Sequence, residues 1–295
     1  MCDLWMNTLT ETVPAGAIPA QIDFALGQLQ RRTGVAPVSD SSGEKSFTGQ
    51  PDQIEHSSFS NSDRRDACPT LRQIKLYNSG SFLDPRAIPT EDYAAIAGRV
   101  RSFERVIVEC HPALVGDSAL RFRDMIYGRL EVAMGLETAH PEVLQKLNKR
   151  MTLEQFARAA EFLRQNDIAL RVFILVKPPF LDEVAALHWA KRSLDFAFDC
   201  GASVASLIPT RLGNGALEAL AERGEFSPPK LATLEKAAAY GIGWKRGRVF
   251  ADLWDLNKFS TCVSCFDSRL ARLREMNFSQ TIPTPTSCNA CGEIF

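Results

Sequence analysis

The stretch Leu170-Arg171-Val172-Phe173-Ile174-Leu175-Val176-Lys177-Pro178-Pro179 decides how the chain is read. A run rich in β-branched and large apolar residues ends abruptly at a lysine and two prolines, as a buried strand does when it stops at a rigid polar loop. Four further short runs share this character: Ile74–Tyr77, Val106–Cys110, Leu130–Met134 and Val204–Ile208. Between them lie segments with helical spacing at Glu91–Arg101, Ser118–Tyr127, Leu153–Gln165 and Asp182–Asp199. Strand, helix and strand repeated this way predict a parallel sheet, because right-handed crossovers lay each helix on the outer face.

In a parallel barrel the site forms where strands pass into the loops that follow them. Those positions here are polar or conformationally special: Asn78-Ser79-Gly80-Ser81-Phe82, Glu109-Cys110-His111-Pro112, Gly135-Leu136-Glu137-Thr138, Lys177-Pro178-Pro179 and Pro209-Thr210-Arg211. This polar content favours an α/β barrel or partial barrel over a doubly wound sheet. Upstream, Pro14–Leu29 reads as a short helical segment. Residues 32–67 are rich in Ser, Asp, Gly and Gln without helical or strand period, and read as a flexible insertion.

The 295 residues are 45% hydrophobic and 23% charged, enough to bury a sizeable core. Net charge is −1, so a nucleic-acid surface would have to be a local basic patch. No basic leader with an apolar core opens the chain and no run of about 18 apolar residues occurs, so the expectation is a cytoplasmic protein without a membrane partner.

The last segment, 256–295, carries the strongest local signal. Cys262-Val263-Ser264-Cys265 and Cys288-Asn289-Ala290-Cys291 are separated by 22 residues, the arrangement of a tetrahedral tetrathiolate site. Zinc and an auxiliary iron–sulfur cluster use the same ligands, and spacing does not separate them. Between the doublets, Arg269, Arg272 and Arg274 give a basic helix that could touch RNA phosphates or form a solvated face.

The blocks CDLWMNTL, KLYNSGSFLDPRAIP, GLETAHPEVLQKLNKRMT, LVKPPFLDE, LIPTRLGNGALE and FADLWDLNKF stand in order along residues 2–259. Together they resemble radical S-adenosylmethionine (SAM) proteins, in particular the archaeosine-biosynthesis group with its bacterial relatives and the Elongator-type core. The resemblance implies a partial (β/α)6 TIM-type barrel over residues 1–255, with a Cys-rich metal-binding tail over 256–295. It also implies a [4Fe–4S] cluster and SAM, which together yield a 5′-deoxyadenosyl radical, an electron donor, and a tRNA base or other nucleoside as substrate.

The family holds its cluster with C-x-x-x-C-x-x-C after the first barrel strand. Cys2 matches the last of these ligands, so the chain reads as lacking the first two cysteines and the strand before them. That predicts an exposed sheet edge and association of the chain. The resemblance places Gly80 and Ser81 at the methionyl amine of SAM, where glycine permits close backbone approach, and Glu137 at its ribose or methionyl part. Lys177 would point into the barrel mouth and is, with Glu109, a catalytic candidate; Arg211, a cofactor-binding candidate, and Asn214 share the rim. His111 and His140 are further acid–base candidates, His140 more simply as a residue at a helix entry. A non-catalytic, metal-binding barrel remnant that has lost its cluster is the competing reading.

Overall fold

The computed structural model describes residues 12–33, 71–77, 80–213 and 215–295. Cys2, Asn214 and the predicted insertion from residue 34 onward lie outside the described residues. The N-terminal helix α1 spans Ala17–Thr33 and so includes the first two residues assigned to the insertion.

Six parallel strands follow in simple order. They are β1 (Gln73–Leu76), β2 (Arg105–Glu109), β3 (Arg129–Glu137), β4 (Ala169–Val176), β5 (Val204–Pro209) and β6 (Arg248–Ala251). The first five coincide with the predicted runs; β6 adds a strand that the sequence pattern did not separate from its surroundings. The crossovers carry α2 (Tyr93–Arg99), α3 (Asp117–Met125), α4 (Pro141–Lys146), α5 (Leu153–Gln165), α6 (Glu183–Asp199), α7 (Ala216–Glu222) and α8 (Leu231–Trp244). Helix α9 (Val263–Ser279) closes the series.

Local chemistry explains where the helices begin. Thr152 and Gln155 form a reciprocal capping box at α5, which satisfies two backbone donors that the first turn leaves open. The apolar stripe Phe156, Ala159, Ala160 and Leu163 of that helix is buried. Asp182 caps α6 by accepting from the Ala185 N–H at 2.8 Å.

Strand alternation sorts the sheet into two faces. Val106, Val108, Val132, Met134, Val172, Ile174, Ala205, Leu207 and Val249 belong to one continuous core shared with the helices. Gly241 lets α8 come close to β6, because a Cβ there would meet the Val249 side chain at 2.8 Å. The opposite face is concave: Tyr77, just past β1, contacts Phe173 of β4 with ring centroids 5.9 Å apart. In a flat sheet three strand spacings would hold these positions about 14 Å apart, so the sheet is curled into a half-barrel.

Helix α9 lies along the free side of β6. Asn277 and Gln280 each use both ends of their side-chain amide on that strand. Asn277 accepts from the Ala251 N–H and donates to its carbonyl, both at 2.8 Å. Gln280 does the same for Val249 at 2.7 and 3.0 Å. These amides stand where a seventh strand would pair. Leu273 and Met276 of α9 sit in the same core as the sheet.

Candidate functional site

At the C-terminal ends of β1 to β3 one chain of polar contacts joins four separate loops. The Phe82 N–H donates to the Glu109 carbonyl at 2.7 Å, fastening the Gly80–Phe82 turn to the end of β2. Behind it, Phe82 packs on Phe122 and Tyr93 with centroids 4.6 and 5.7 Å away. The His111 N–H donates to Ser81 Oγ at 2.8 Å. The His111 ring contacts the Ala113 N–H through Nδ1 at 3.2 Å and the Lys149 carbonyl through Nε2 at 2.8 Å. An N–H on one side and a carbonyl on the other select the Nε2–H tautomer. Lys149 Nζ then pairs with the Glu137 carboxylate at 2.7 Å.

Glu137 is held in an unusual backbone conformation. Its φ is 66°, and the β3–β4 register shifts between Gly135 and Glu137. The bulge folds the carboxylate back over Gly135, where a Cβ would collide with it. A left-handed glutamate is strained and persists because Gly135 and Lys149 hold it.

Glu109 lies beside this pair. Burial pushes its carboxyl above the ordinary range; Lys149 opposes the shift and Glu137 adds to it. It makes no ion pair among the described residues. Cys110 is buried and donates its thiol to the His111 carbonyl at 3.2 Å, and burial raises the thiol to about 12.

The rim's other two predicted cations are committed elsewhere. Lys177 is 5% exposed and has φ 55°. Its ammonium donates to Ser227 Oγ at 2.7 Å and pairs with Glu183 at 3.1 Å. It thus pins the loop after β4 to the start of α6 and the segment before α8. Arg211 pairs with Asp252 at 2.8 Å and donates to the Trp254 carbonyl at 2.6 Å, tying the end of β5 to the end of β6. His140 precedes α4 and stacks on Trp189 with centroids 4.4 Å apart. Over β4 and β5, α4 and the loop that follows Lys177 cover Leu175 and Ile208 with Val143, Leu147, Phe180 and Leu181.

The floor of the concave face carries a charged triad. Glu131 is fully buried and receives Arg105 and Arg171, each at 2.6 Å. Arg171 also lies over the Phe250 ring at 6.0 Å.

The second candidate centre is the tail. All four sulfurs of Cys262, Cys265, Cys288 and Cys291 lie within 4.8 Å of one another. The two doublets repeat one local pattern: the N–H groups of Cys265 and Ser264 act on the Cys262 sulfur, and those of Cys291 and Ala290 on the Cys288 sulfur. These donors draw the Cys262 thiol down to about 7 and also lower that of Cys288. Arg269 of α9 is buried and grips Glu235 of α8 at 3.0 and 2.6 Å and Glu293 at 2.5 Å. Its guanidinium also lies 5.3 Å from the centroid of Phe295. Arg272 donates to the Pro283 carbonyl at 3.2 Å. The predicted basic face is therefore corrected: Arg269 is spent inside the protein, and Arg272 is half-buried against a backbone carbonyl.

The chain is 33% identical over 168 residues to archaeosine synthase subunit beta of Methanosarcina acetivorans, covering 54% of this chain and 47% of that protein. It is 30% identical over 165 residues to the protein of the same name from Thermococcus kodakarensis, covering 54% and 51%. The chain thus spans about half the length of these curated relatives. Among solved structures it superposes on the Elp3 protein of Methanocaldococcus infernus with a TM-score of 0.50 at 15% identity, covering 62% of this chain and 48% of that one. Over about half its length the chain is a relative of the proteins named archaeosine synthase subunit beta, and it shares its fold with Elp3. No family model matches it.

The half-barrel and the C-terminal cysteine group are as the sequence predicted, whereas Glu131, Arg105 and Lys149 were missed. For Glu131 a signal was present: it and Arg171 are charged residues inside otherwise apolar strands, on the parity that faces inward. No helix of the described residues is long and apolar enough to cross a membrane.

Proposed function

We propose that this chain supplies the SAM-binding barrel of a radical SAM enzyme that acts on a tRNA base or a related nucleoside. The observation that carries the reading is the linked Ser81–His111–Lys149–Glu137 rim with the Glu109 carboxylate, which makes no ion pair among the described residues, beside it. SAM brings an ammonium, a carboxylate and a sulfonium. A half-buried rim with two carboxylates and one ammonium offers opposite charge to each. Gly80 and Ser81 present backbone to the methionyl end, and Glu137 and Glu109 accept its cationic groups. Lys177 and Arg211 hold the loops after β4 and β5 in place around the same mouth. The substrate class follows the archaeosine synthase relatives, and an electron donor completes the set of partners.

Together with a [4Fe–4S] cluster, SAM supplies a 5′-deoxyadenosyl radical. The described residues do not fit that cluster: at the rim they offer one thiol, Cys110, which is buried and engaged. Cys2 lies outside them. The four thiols of the tail are a separate site for zinc or an auxiliary cluster.

Equilibrium dialysis with labelled SAM, before and after anaerobic reconstitution with iron and sulfide, tests the reading. Saturable binding that weakens about tenfold in Glu137→Gln is expected, the loss of one charge-assisted contact. Four irons beyond the tail site with release of 5′-deoxyadenosine would assign the whole reaction to this chain. Absence of SAM binding in both states would leave the non-catalytic, metal-binding barrel.

A further inference from the structure

We propose that Cys262, Cys265, Cys288 and Cys291 hold a single zinc ion in a closed tetrathiolate site, and that this ion clasps the C-terminal segment Cys288–Phe295 onto the start of α9. The proposal does not rest on the radical SAM reading.

The spacing of the sulfurs separates the two metals that the sequence left open. A tetrahedral ion with Zn–S bonds of about 2.3 Å sets its sulfurs about 3.8 Å apart. Across the two doublets, Cys262 and Cys288 are 4.0 Å apart and Cys265 and Cys291 are 3.9 Å apart. No pair among the four exceeds 4.8 Å. A four-iron cluster puts each thiolate on a different iron, so its sulfurs stand much farther apart than this. The tetrad would have to open to admit one. The thiols are free rather than paired as disulfides.

The surroundings match a site that keeps its ion and performs no redox step. Cys262 stands at the N-cap of α9, where the backbone N–H groups of the first turn have no helical acceptor and favour a thiolate. Four thiolates on a divalent cation leave two negative charges. Arg269 is buried one helical turn after Cys265. Its guanidinium holds Glu235 and Glu293 and lies over Phe295, so one side chain joins α9, α8 and the C-terminal segment. With four sulfurs the ion has no open position, which makes the site structural. The segment it holds makes a short antiparallel bridge at Ser287 and Ile294 and has a small apolar anchor of its own, Cys265, Cys288 and Phe295. So little apolar burial does not fix a chain terminus by itself, and the ion supplies what is missing.

The test is metal analysis of the full chain carrying Cys2→Ala, so that iron bound elsewhere through that thiol is not counted. One zinc per chain is expected, falling below about a tenth of that when Cys265→Ser and Cys291→Ser are added. Cobalt substitution of the parent chain should give the intense visible bands of a tetrahedral tetrathiolate site. Retention of several irons with acid-labile sulfide, or of no metal, overturns the site. Because the double serine variant could fail to fold, hydrogen exchange of the parent chain after chelation gives a second measurement. Faster exchange confined to residues 284–295 and the first turn of α9 is expected, with β3 and β4 unchanged. Identical exchange with and without metal would overturn the clasp.

Discussion

Tyr77 at the end of β1 and Phe173 in β4 meet edge to face although two strands lie between them in the sheet, their ring planes at 89°. The contact spans the hollow of the half-barrel. Phe173→Ala should lower stability by about 1–3 kcal/mol through lost burial and ring contact, read as an earlier urea midpoint.

Glu131 offers a sharper test of the concave floor. Its carboxylate is fully buried between Arg105 and Arg171, whose side chains are 35% and 10% exposed. Glu131→Ala strands the Arg171 charge and should cost about 3–5 kcal/mol, whereas replacing the pair together by Leu and Met should recover most of the loss. A double-mutant cycle by denaturant unfolding measures the difference. Equal losses in the single and paired variants would show that the floor is held by packing alone.

Glu109 should show a trade between stability and binding. Burial raises its folded-state pKa above the unfolded one, so ionising it opposes folding. The penalty is absent below the unfolded carboxylate value, grows as pH rises through the window between the two, and is complete above the folded value. Glu109→Gln should therefore melt at a higher temperature than the parent chain at neutral pH and at the same temperature in acid. Scanning calorimetry across that range checks the sign, and SAM dialysis with the same variant should show weaker binding.

Arg269 should resist conservative replacement. A lysine cannot reproduce the two-pronged grip on Glu235 together with the reach to Glu293. Arg269→Lys should lower the melting temperature nearly as far as Arg269→Ala. Rescue by lysine would mean that only the charge matters.

What the sequence made legible follows from what sets each feature. The strands β1 to β5 were visible because apolar runs stop at polar loops, and the cysteine tetrad because each doublet is local. Helix α8 was harder to read: Leu234, Ala237, Ala238, Gly241 and Ile242 are all buried, so it lacks the long polar face that gives helical periodicity its contrast. Arg269 looked like one residue of a solvated basic face because its partners lie 34 and 24 residues away in the chain. Lys149 was likewise invisible, since the bulge at Gly135 that brings Glu137 within its reach is a property of the folded strand.

The amides of Asn277 and Gln280 carry a prediction of their own. Asn277→Ala with Gln280→Ala uncovers the outer backbone groups of Val249 and Ala251. The double variant should lose about 1–3 kcal/mol and self-associate more strongly than the parent chain, visible by sedimentation velocity as a larger concentration-dependent shift.

Those two amides also give the sheet a direction. With the β6 margin occupied, hydrogen-bonded growth of the ladder can proceed only from the β1 side. A further strand, whether contributed by residues outside those described or by another polypeptide, must therefore arrive next to Gln73–Leu76. The molecule is a ribbon with one finished hem, and whatever completes its curvature has a single place to begin.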